Sequence, residues 1–498
     1  MTCNNVRGIM YLFLLAILVC VPVSGKAQLI SLKSVPVANG DQFLVLPSEN
    51  LGMGSVAVAL NDRLLDPFIN PATGSRTQSV QFFGSPTAYN ITDNNGSAIT
   101  LPFGLLFGGD TWFGGVSAAI QQVTAPENNI FIQPFIDWIP VRNNSTVLLS
   151  DKSKNNTFIS GSIGNQLGTS GINVAAGLSW SNLNAVDGVE LLYVNSEKIE
   201  QFGNMLDLRL GLVKDQINEY AFEALLIHNR IDMTHDVTYP TWFGPEERLN
   251  NDRVERNLDQ TRTWGLHFRY AQPLTKQNWY IGGIITANRK THPKIPNYDL
   301  MNIPRDPGDT WAYNFGLGLS RKDSAAKFGI DLIFEPIWSN TWADTPVPIL
   351  NQSGNIIPAG GKTVINDFMF TNWIFRFGVG KQYKVFGFQL GLQTRFYNYN
   401  LEQVNKVEIF ERSQNENWTE WTPSIGLNLD FSEFQVKYTG RLTTGTGRPG
   451  VARDWPIAED LQFAQSADFI LAPDGALTLQ DATVFTHQVY VVVPIGQK

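Results

Sequence analysis

The sequence predicts an all-β protein, a transmembrane antiparallel β-barrel, on three observations. Windows of strict two-residue alternation recur, each with one greasy and one polar side, as the two faces of a strand require. Tight turns alternate with long polar stretches, as in a barrel with turns in the periplasm and loops outside. Tryptophans and tyrosines collect at the proposed strand ends, where amphipathic rings settle at a membrane interface.

Composition narrows the classes. Of 498 residues, 43% are hydrophobic, 16% charged and 12% aromatic, which is not the composition of a disordered chain. The 37 Lys+Arg against 45 Asp+Glu leave a formal charge of −8, which argues against nucleic acid as a partner. Only one apolar run is worth testing as a membrane helix, so a multi-span helical protein is excluded. That run, Tyr11–Val23, follows Arg7 and is shorter than the ~20 residues that span a bilayer. Gly25 and Ala27 satisfy the small-x-small rule, so residues 1–27 read as an export signal cut after Ala27. Cys20 has the bulky Val19 before it, which speaks against lipidation. Cys3 and Cys20 both leave with the signal, and the mature chain has neither a disulfide framework nor a Cys-metal site.

The alternation is clearest in five windows. Leu206, Leu208, Leu210 and Leu212 oppose Asp207, Arg209 and Gly211; Trp264, Leu266, Phe268 and Tyr270 oppose Gly265, His267 and Arg269. Phe328, Ile330, Leu332 and Phe334 oppose Gly329, Asp331 and Glu335, with Ile333 breaking the pattern. Phe388, Leu390 and Leu392 oppose Gln389, Gly391 and Gln393, and in Glu433–Thr443 the set Phe434, Val436, Tyr438 and Leu442 opposes Lys437, Thr439 and Arg441.

Tight connections fall near Gly109–Thr111, Leu167–Gly171, Lys214–Ile217, Pro273–Lys276, Lys322–Asp323, Gln382–Tyr383 and Ser432. Long polar stretches lie at about 125–156, 184–202, 232–260, 289–309, 338–365, 402–417 and 445–481. One strand at Ser79–Ile91, seven turn-linked pairs and a last strand at Ala482–Ile495 make about 16, an even number as single-chain bacterial barrels require. Merging one pair within 79–170 gives about 14. Trp112, Trp264, Trp279, Tyr280, Trp311, Trp338, Trp373, Trp418 and Trp421 form the expected interfacial girdles.

Residues 28–77 do not alternate. A small-residue run, Gly52–Ala59, leads through Asp62 or Asp66 to Asn70-Pro71-Ala72, just before the first strand. Small residues let a short helix or turn pack closely against a wall, whereas β-branched Val56 and Val58 also suit a buried strand. The stretch Leu51–Gly74 resembles the N-terminal plug of the FadL-like family of outer-membrane transporters for fatty acids and aromatic hydrocarbons. The resemblance implies a barrel of about 14 strands. It also implies that residues 28–77 fold into the lumen as a hatch, with Asn70, Pro71 and Ala72 as hatch elements, and that residues 78–498 form the barrel. The sequence departs from the family in ending Pro494-Ile495-Gly496-Gln497-Lys498 rather than on an aromatic residue, and in its long stretch 445–481.

Searches for catalytic chemistry return little. Gly445-Thr446-Gly447-Arg448-Pro449-Gly450 fits G-x-G-x-x-G, but Pro449 and the residues after it do not read as the helix that would meet a pyrophosphate, so a loop turn is expected and no cofactor. The five histidines, His228, His235, His267, His292 and His487, lack i+4 ligand spacing, so no metal is expected. His267 reads as a polar residue lining the lumen, and the chain as a non-enzyme. Arg209, Arg269, Asp331, Glu335, Arg376, Arg395, Lys437 and Arg441 belong to the polar strand faces. On the lipid side Arg or Lys costs ~2–4 kcal/mol at the midplane, so these should point inward, pair, and hold the hatch.

The expected function is uptake of small hydrophobic molecules across the outer membrane through a plugged barrel, with outer-membrane lipid and a small hydrophobic ligand as partners and a monomeric state. The exposed loop stretches Pro346-Val347-Pro348-Ile349-Leu350 and Ile356-Ile357 could catch such a ligand. A plugged barrel acting as a partner or shuttle in protein export, and a general diffusion porin with residues 28–77 outside the lumen, are the alternatives.

Overall fold

In the computed structural model the described residues lie within 29–495. They exclude 125–147, 150–152, 187–197, 217–219, 240–241, 244–246, 249–252, 275–277, 292–304, 450–478 and the single positions 35, 37, 78, 94, 110, 169, 324, 346 and 432. The export signal, His292, Gly450 and most of 445–481 therefore lie outside the described residues.

Sixteen antiparallel strands close into one barrel. The first, β1, runs in two pieces, Val80–Gly84 and Thr87–Ile91, in unbroken register with both neighbours. The gap falls at Pro86, which has no N–H to give to the ladder. There follow β2 Ser97–Gly108, β3 Trp112–Thr124, β4 Ser153–Gln166, β5 Ile172–Leu183, β6 Lys198–Gln216, β7 Tyr220–Tyr239 and β8 Arg253–Pro273. The rest are β9 Trp279–Thr291, β10 Arg305–Lys322, β11 Ala326–Asp344, β12 Lys362–Gln382, β13 Phe386–Asn405, β14 Phe410–Asp430, β15 Gln435–Pro449 and β16 Leu479–Ile495. Pairing of β1 with β16 abolishes the free edges that an open sheet exposes. The count is sixteen, not the lower number implied by the FadL-like resemblance.

Burial is inverted relative to a soluble sheet. On β2, Ile99 is 57% exposed and its neighbour Thr100 is 3% exposed. The same exchange of outward apolar for inward polar residues occurs at Leu208 and Asp207, Ile285 and Thr286, and Leu332 and Asp331. An apolar exterior on a closed barrel is stable only in lipid, and the protein is an outer-membrane β-barrel. Trp264 and Leu274 both point outward, and between them a strand tilted by ~40° climbs about 25 Å, the height of an outer-membrane apolar band.

Several sequence expectations change. The strands outrun the apolar band: β7 and β8 continue to Tyr239 and restart at Arg253, β11 reaches Asp344 and β12 begins at Lys362. The expected loop 402–417 shrinks to the turn between Asn405 and Phe410. Beyond the bilayer both faces meet water, so the hydrophobic signal ends while the backbone ladder continues. As a result Trp264, Trp311, Trp338 and Trp373 lie inside strands, and their outward rings mark the loop-side interface; Trp311 and Trp338 are directly paired across strands. Trp418 is an exception, because its ring packs on the lumen side against Tyr397, with centroids 4.6 Å apart, and Tyr280, directly opposed to the inward Ser320, also belongs to the inner face. Gly445–Pro449 is not a loop turn either. It continues β15 through a bulge, with Gly445 at φ 78° and no room for a Cβ beside the Thr419 carbonyl.

The lipid-facing assignment makes a direct prediction. Leu317, 68% exposed and lying on β10 between the rim residue Trp311 and the turn-side end Lys322, should tolerate Ala but not Arg. Leu317→Arg should cost about 2–4 kcal/mol in a denaturant titration of the barrel in lipid vesicles. No loss would place this face away from lipid.

Candidate functional site

The lumen is filled by the chain's own N-terminal segment. Ile30 and Leu32 are buried on the loop side among Ala312, Ile337, Phe368, Phe370, Tyr399 and Leu401. Lys33 pairs with Glu420. The Ala38 N–H donates to the Gly447 carbonyl at 2.7 Å, and the Gly447 N–H to Pro36 at 2.8 Å. Asp41 accepts from Arg441 at 3.0 Å and from Thr486 at 2.7 Å. The chain then descends to the turn side, where Glu49 meets Lys327 at 3.2 Å and the Lys437 ammonium donates to the Glu49 carbonyl.

Residues 54–59 next cross the wall along a line of small residues. Cross-strand register pairs Gly282 with Gly318, Gly329 with Gly378, and Gly378 with Gly391. A Cβ on Gly391 would lie 1.9 Å from the Gly54 nitrogen, so no larger residue fits there. Polar residues on the same line bond the segment's backbone. Gly54 N–H donates to Ser424 Oγ at 3.0 Å, Ala57 N–H to Asp331 Oδ2 at 2.7 Å, and Ser320 Oγ to the Ala59 carbonyl at 2.7 Å. Ile333 faces this line and packs on Val58 with Ile374. Its break in the alternation is an apolar contact with the segment.

Past this line a short helix, Asp66–Ile69, and a 3-10 helix, Pro71–Arg76, return the chain to β1. Asn70 caps the second, its Oδ1 accepting from the Ala72 N–H at 3.2 Å, while its Nδ2 lies 3.5 Å from the Ala224 carbonyl. Ala72 is wholly buried with Phe113, Ala175 and Val213. A Cβ on Gly211 would meet Asn70 Oδ1 at 2.1 Å, so the Asn-Pro-Ala turn needs that glycine.

The eight polar wall residues named from sequence all lie on the inner face, and five bond the segment. Arg209 donates to the Phe68 and Ile69 carbonyls at 2.7 and 2.9 Å and pairs with Asp207 at 2.7 Å. Arg269 donates to the Val58 carbonyl at 2.9 Å and to Asn61 Oδ1 at 2.6 Å. Asp331, Lys437 and Arg441 bond the segment as above. The other three bond the wall: Glu335 accepts from Asn372 at 3.3 Å, Arg376 donates to Gln393 at 3.1 Å, and Arg395 to the Tyr397 hydroxyl at 3.3 Å.

Sequence reasoning missed the charge centre. Glu223 Oε1 forms an ion pair with Arg76 of the segment at 2.8 Å and accepts a hydrogen bond from Arg269 of the wall at 3.1 Å, and Arg76 also pairs with Asp215 at 2.8 Å. Asp66 lies 3.8 Å from Arg269. Burial pushes the Asp66 carboxyl up to about 7, with Asp62 and Glu223 adding and Arg269 opposing. Burial alone would also raise the Glu49 carboxyl, but Lys327, Arg63 and Lys437 bring it below its ordinary value. Arg269 and Asp66 of this centre stand out in sequence, whereas Glu223 and Arg76 belong to no alternating window. The centre borders a cavity of about 70 Å³, lined among others by Asp66, Asn70, Glu223, His267, Arg269 and Arg376. That is room for a few waters and far below the ~300–1,000 Å³ of ligand pockets. His267 Nδ1 lies 2.8 Å from Thr286 Oγ1.

No family model matches the chain, and no curated protein does. Among solved structures, a Pseudomonas aeruginosa FadL homologue is similar over 92% of this chain and 100% of its own, at 9% identity and a TM-score of 0.43. The toluene transporter TodX of Pseudomonas putida is similar over 93% and 99%, at 10% identity and a TM-score of 0.39. CdiB from Acinetobacter baumannii is similar over 83% of this chain, at 10% identity and a TM-score of 0.37, and the chain spans 60% of CdiB's length. At this level of similarity no property of those proteins passes to this chain.

Gly391→Val should unseat the segment, because its first added carbon already overlaps Gly54. In planar bilayers its conductance should rise well above that of the parent. Gly161→Ala, whose Cβ meets nothing closer than 3.9 Å, should leave it unchanged.

Proposed function

We infer that the protein is a plugged outer-membrane channel that takes up small hydrophobic molecules, with residues 28–77 as its hatch. The hatch contains Asn70, Pro71 and Ala72, and Arg209, Arg269, Asp331, Lys437 and Arg441 hold it. One observation carries the ligand class. The loop-side lumen holds an aromatic and aliphatic cluster of Phe368, Phe370, Tyr399, Leu401 and Trp418, and its present occupants are Ile30 and Leu32 of the segment itself. An apolar solute reaching this depth finds a surface that stabilises it by burial, roughly 25 cal/mol per Å².

The route to it begins outside. The ribbon pairing Ile349–Leu350 with Ile356–Ile357 leaves Leu350 67% and Ile356 69% exposed, an apolar patch for first capture. Release requires the segment to leave its line on the wall. Its backbone hydrogen bonds there are worth about 0.5–1.5 kcal/mol net each to Ser424 and Ser320 and about 1.5–3 to Asp331 and Arg269, and they can exchange one by one. An open diffusion pore needs residues 28–77 outside the lumen; the burial of Ile30, Leu32 and Ala72 among wall residues counts against it.

Proteoliposomes test the reading. A labelled long-chain fatty acid should enter faster than in empty vesicles while sugars stay at background in a swelling assay. Phe370→Ser should slow the apolar probe by on the order of tenfold, as expected for losing one buried aromatic contact. Rapid sugar entry through the intact protein would reject the plugged channel.

A further inference from the structure

Three arginines stand on the outer wall at the loop-side end of the apolar band: Arg230 of β7, Arg262 of β8 and Arg289 of β9. Strand parity places them there. Arg230 shares a face with His228, and Arg262 with Trp264, while Asn229 and Thr263 between them are buried inward. Arg230 and Arg262 are directly opposed in register, and Arg289 is opposed to Trp264, diagonal to Arg262. Directly opposed residues have Cβ atoms about 4.5–5.5 Å apart, where like charges destabilise a sheet.

Nearby carboxylates answer only part of this charge. Arg230 Nε lies 2.5 Å from Asp232, and Arg289 Nε 3.4 Å from Asp309. Among the described residues Arg262, between them, has no carboxylate partner. The cluster is therefore short of an anion at its centre.

The surface towards the bilayer midplane indicates what kind of anion. Immediately beneath, His228 stacks on Trp264 with centroids 4.2 Å apart, and Arg289 lies over the Trp311 ring at 5.4 Å. Further down the same outer face come Leu266 and the stacked pair Phe222 and Phe268, 6.1 Å apart. A cationic head, an aromatic shelf and an apolar wall thus follow one another along the bilayer normal. Free phosphate would use only the first; a phosphorylated lipid uses all three. The loop side of the barrel faces the outer leaflet, whose anionic lipid is a phosphorylated glycolipid.

We propose that Arg230, Arg262 and Arg289 form a binding site for the phosphates of the outer-leaflet lipopolysaccharide, whose acyl chains lie along Trp264, Leu266 and Phe268. Guanidinium forks suit this role because they clamp phosphate oxygens bidentately. The site is on the outside of the barrel and is independent of what the lumen carries.

The test uses the full protein in detergent with bis-phosphorylated lipid A, the bound lipid being counted by native mass spectrometry. Arg262→Gln leaves both ion pairs of its neighbours in place, so the barrel should close normally, as heat-modifiable migration on a gel will confirm. It should weaken lipid A retention roughly tenfold, the loss of one charge-assisted fork. Arg262→Lys should recover part of the loss, and Arg321→Gln, at the turn-side end beside Asp323, should bind like the parent. Lipid A stripped of its phosphates should bind poorly, and inorganic phosphate should not displace the intact lipid. Parent-like retention by Arg262→Gln, equal binding of the dephosphorylated lipid, or displacement by inorganic phosphate would each overturn the assignment.

Discussion

The backbone of residues 54–59 lies against the barrel wall along a line of glycines, and four wall residues take up its hydrogen bonds. Everything inside the lumen depends on this contact. A backbone inserted into a closed barrel must find partners for its N–H and C=O groups, since unmet groups there cost about as much as lost hydrogen bonds. Ser424, Asp331, Arg269 and Ser320 supply them, and Gly391 and its neighbours make the room. The converse also holds. Arg269, Asp331 and Lys437 are buried inward, and the segment gives them carbonyls and N–H groups that would otherwise be replaced by water. Segment and wall each satisfy the other's polar groups.

The outer wall obeys the opposite rule. In lipid a barrel satisfies its backbone through its own ladder, and its outward side chains need only be greasy in the band and amphipathic or charged at its rims. Leu317 and Ile99 serve the first condition, and Trp264, Trp311 and Arg289 the second. Lumen and exterior are thus two separate selections made on alternate residues of the same strands. A single strand such as β8 holds Arg269 to the N-terminal segment and Trp264 to the membrane rim, with no conflict between them.

Part of this is legible in the sequence. The strand count follows from turn spacing, and the cost of charge in lipid sets the expectation that Arg209, Asp331 and Arg441 face the lumen. The misses have a common physical cause: period-two alternation reports a boundary between grease and water, and falls silent wherever both faces are alike. In 402–417 both faces are wet, so a ladder that continues to Asn405 and resumes at Phe410 read as a loop. Between Phe368 and Phe377 both faces carry aromatic or aliphatic residues, so the lumen cluster of Phe368 and Phe370 was hidden beside the outward Met369 and Trp373. Trp418 was assigned to a girdle by residue type, although its ring is inside. Ile333 was the one irregularity that carried information, because an apolar residue on a polar inner face had to meet another apolar surface, which is Val58. Glu223 and Arg76 left no pattern, since an ion pair between distant parts of a chain has no local signature.

The central claim is that the segment must leave the wall for a solute to pass. A Cβ on Gly329 would lie 3.3 Å from Val56 Cβ, close to the Cβ separation of a disulfide, and the only native cysteines, Cys3 and Cys20, lie within the expected export signal. Cysteines placed at Val56 and Gly329 would tie the segment to β11 when oxidised. Uptake of an apolar probe into proteoliposomes should stop in the oxidised protein and return on reduction. Undiminished uptake with the bond formed would contradict a moving hatch and require a path that leaves the segment in place.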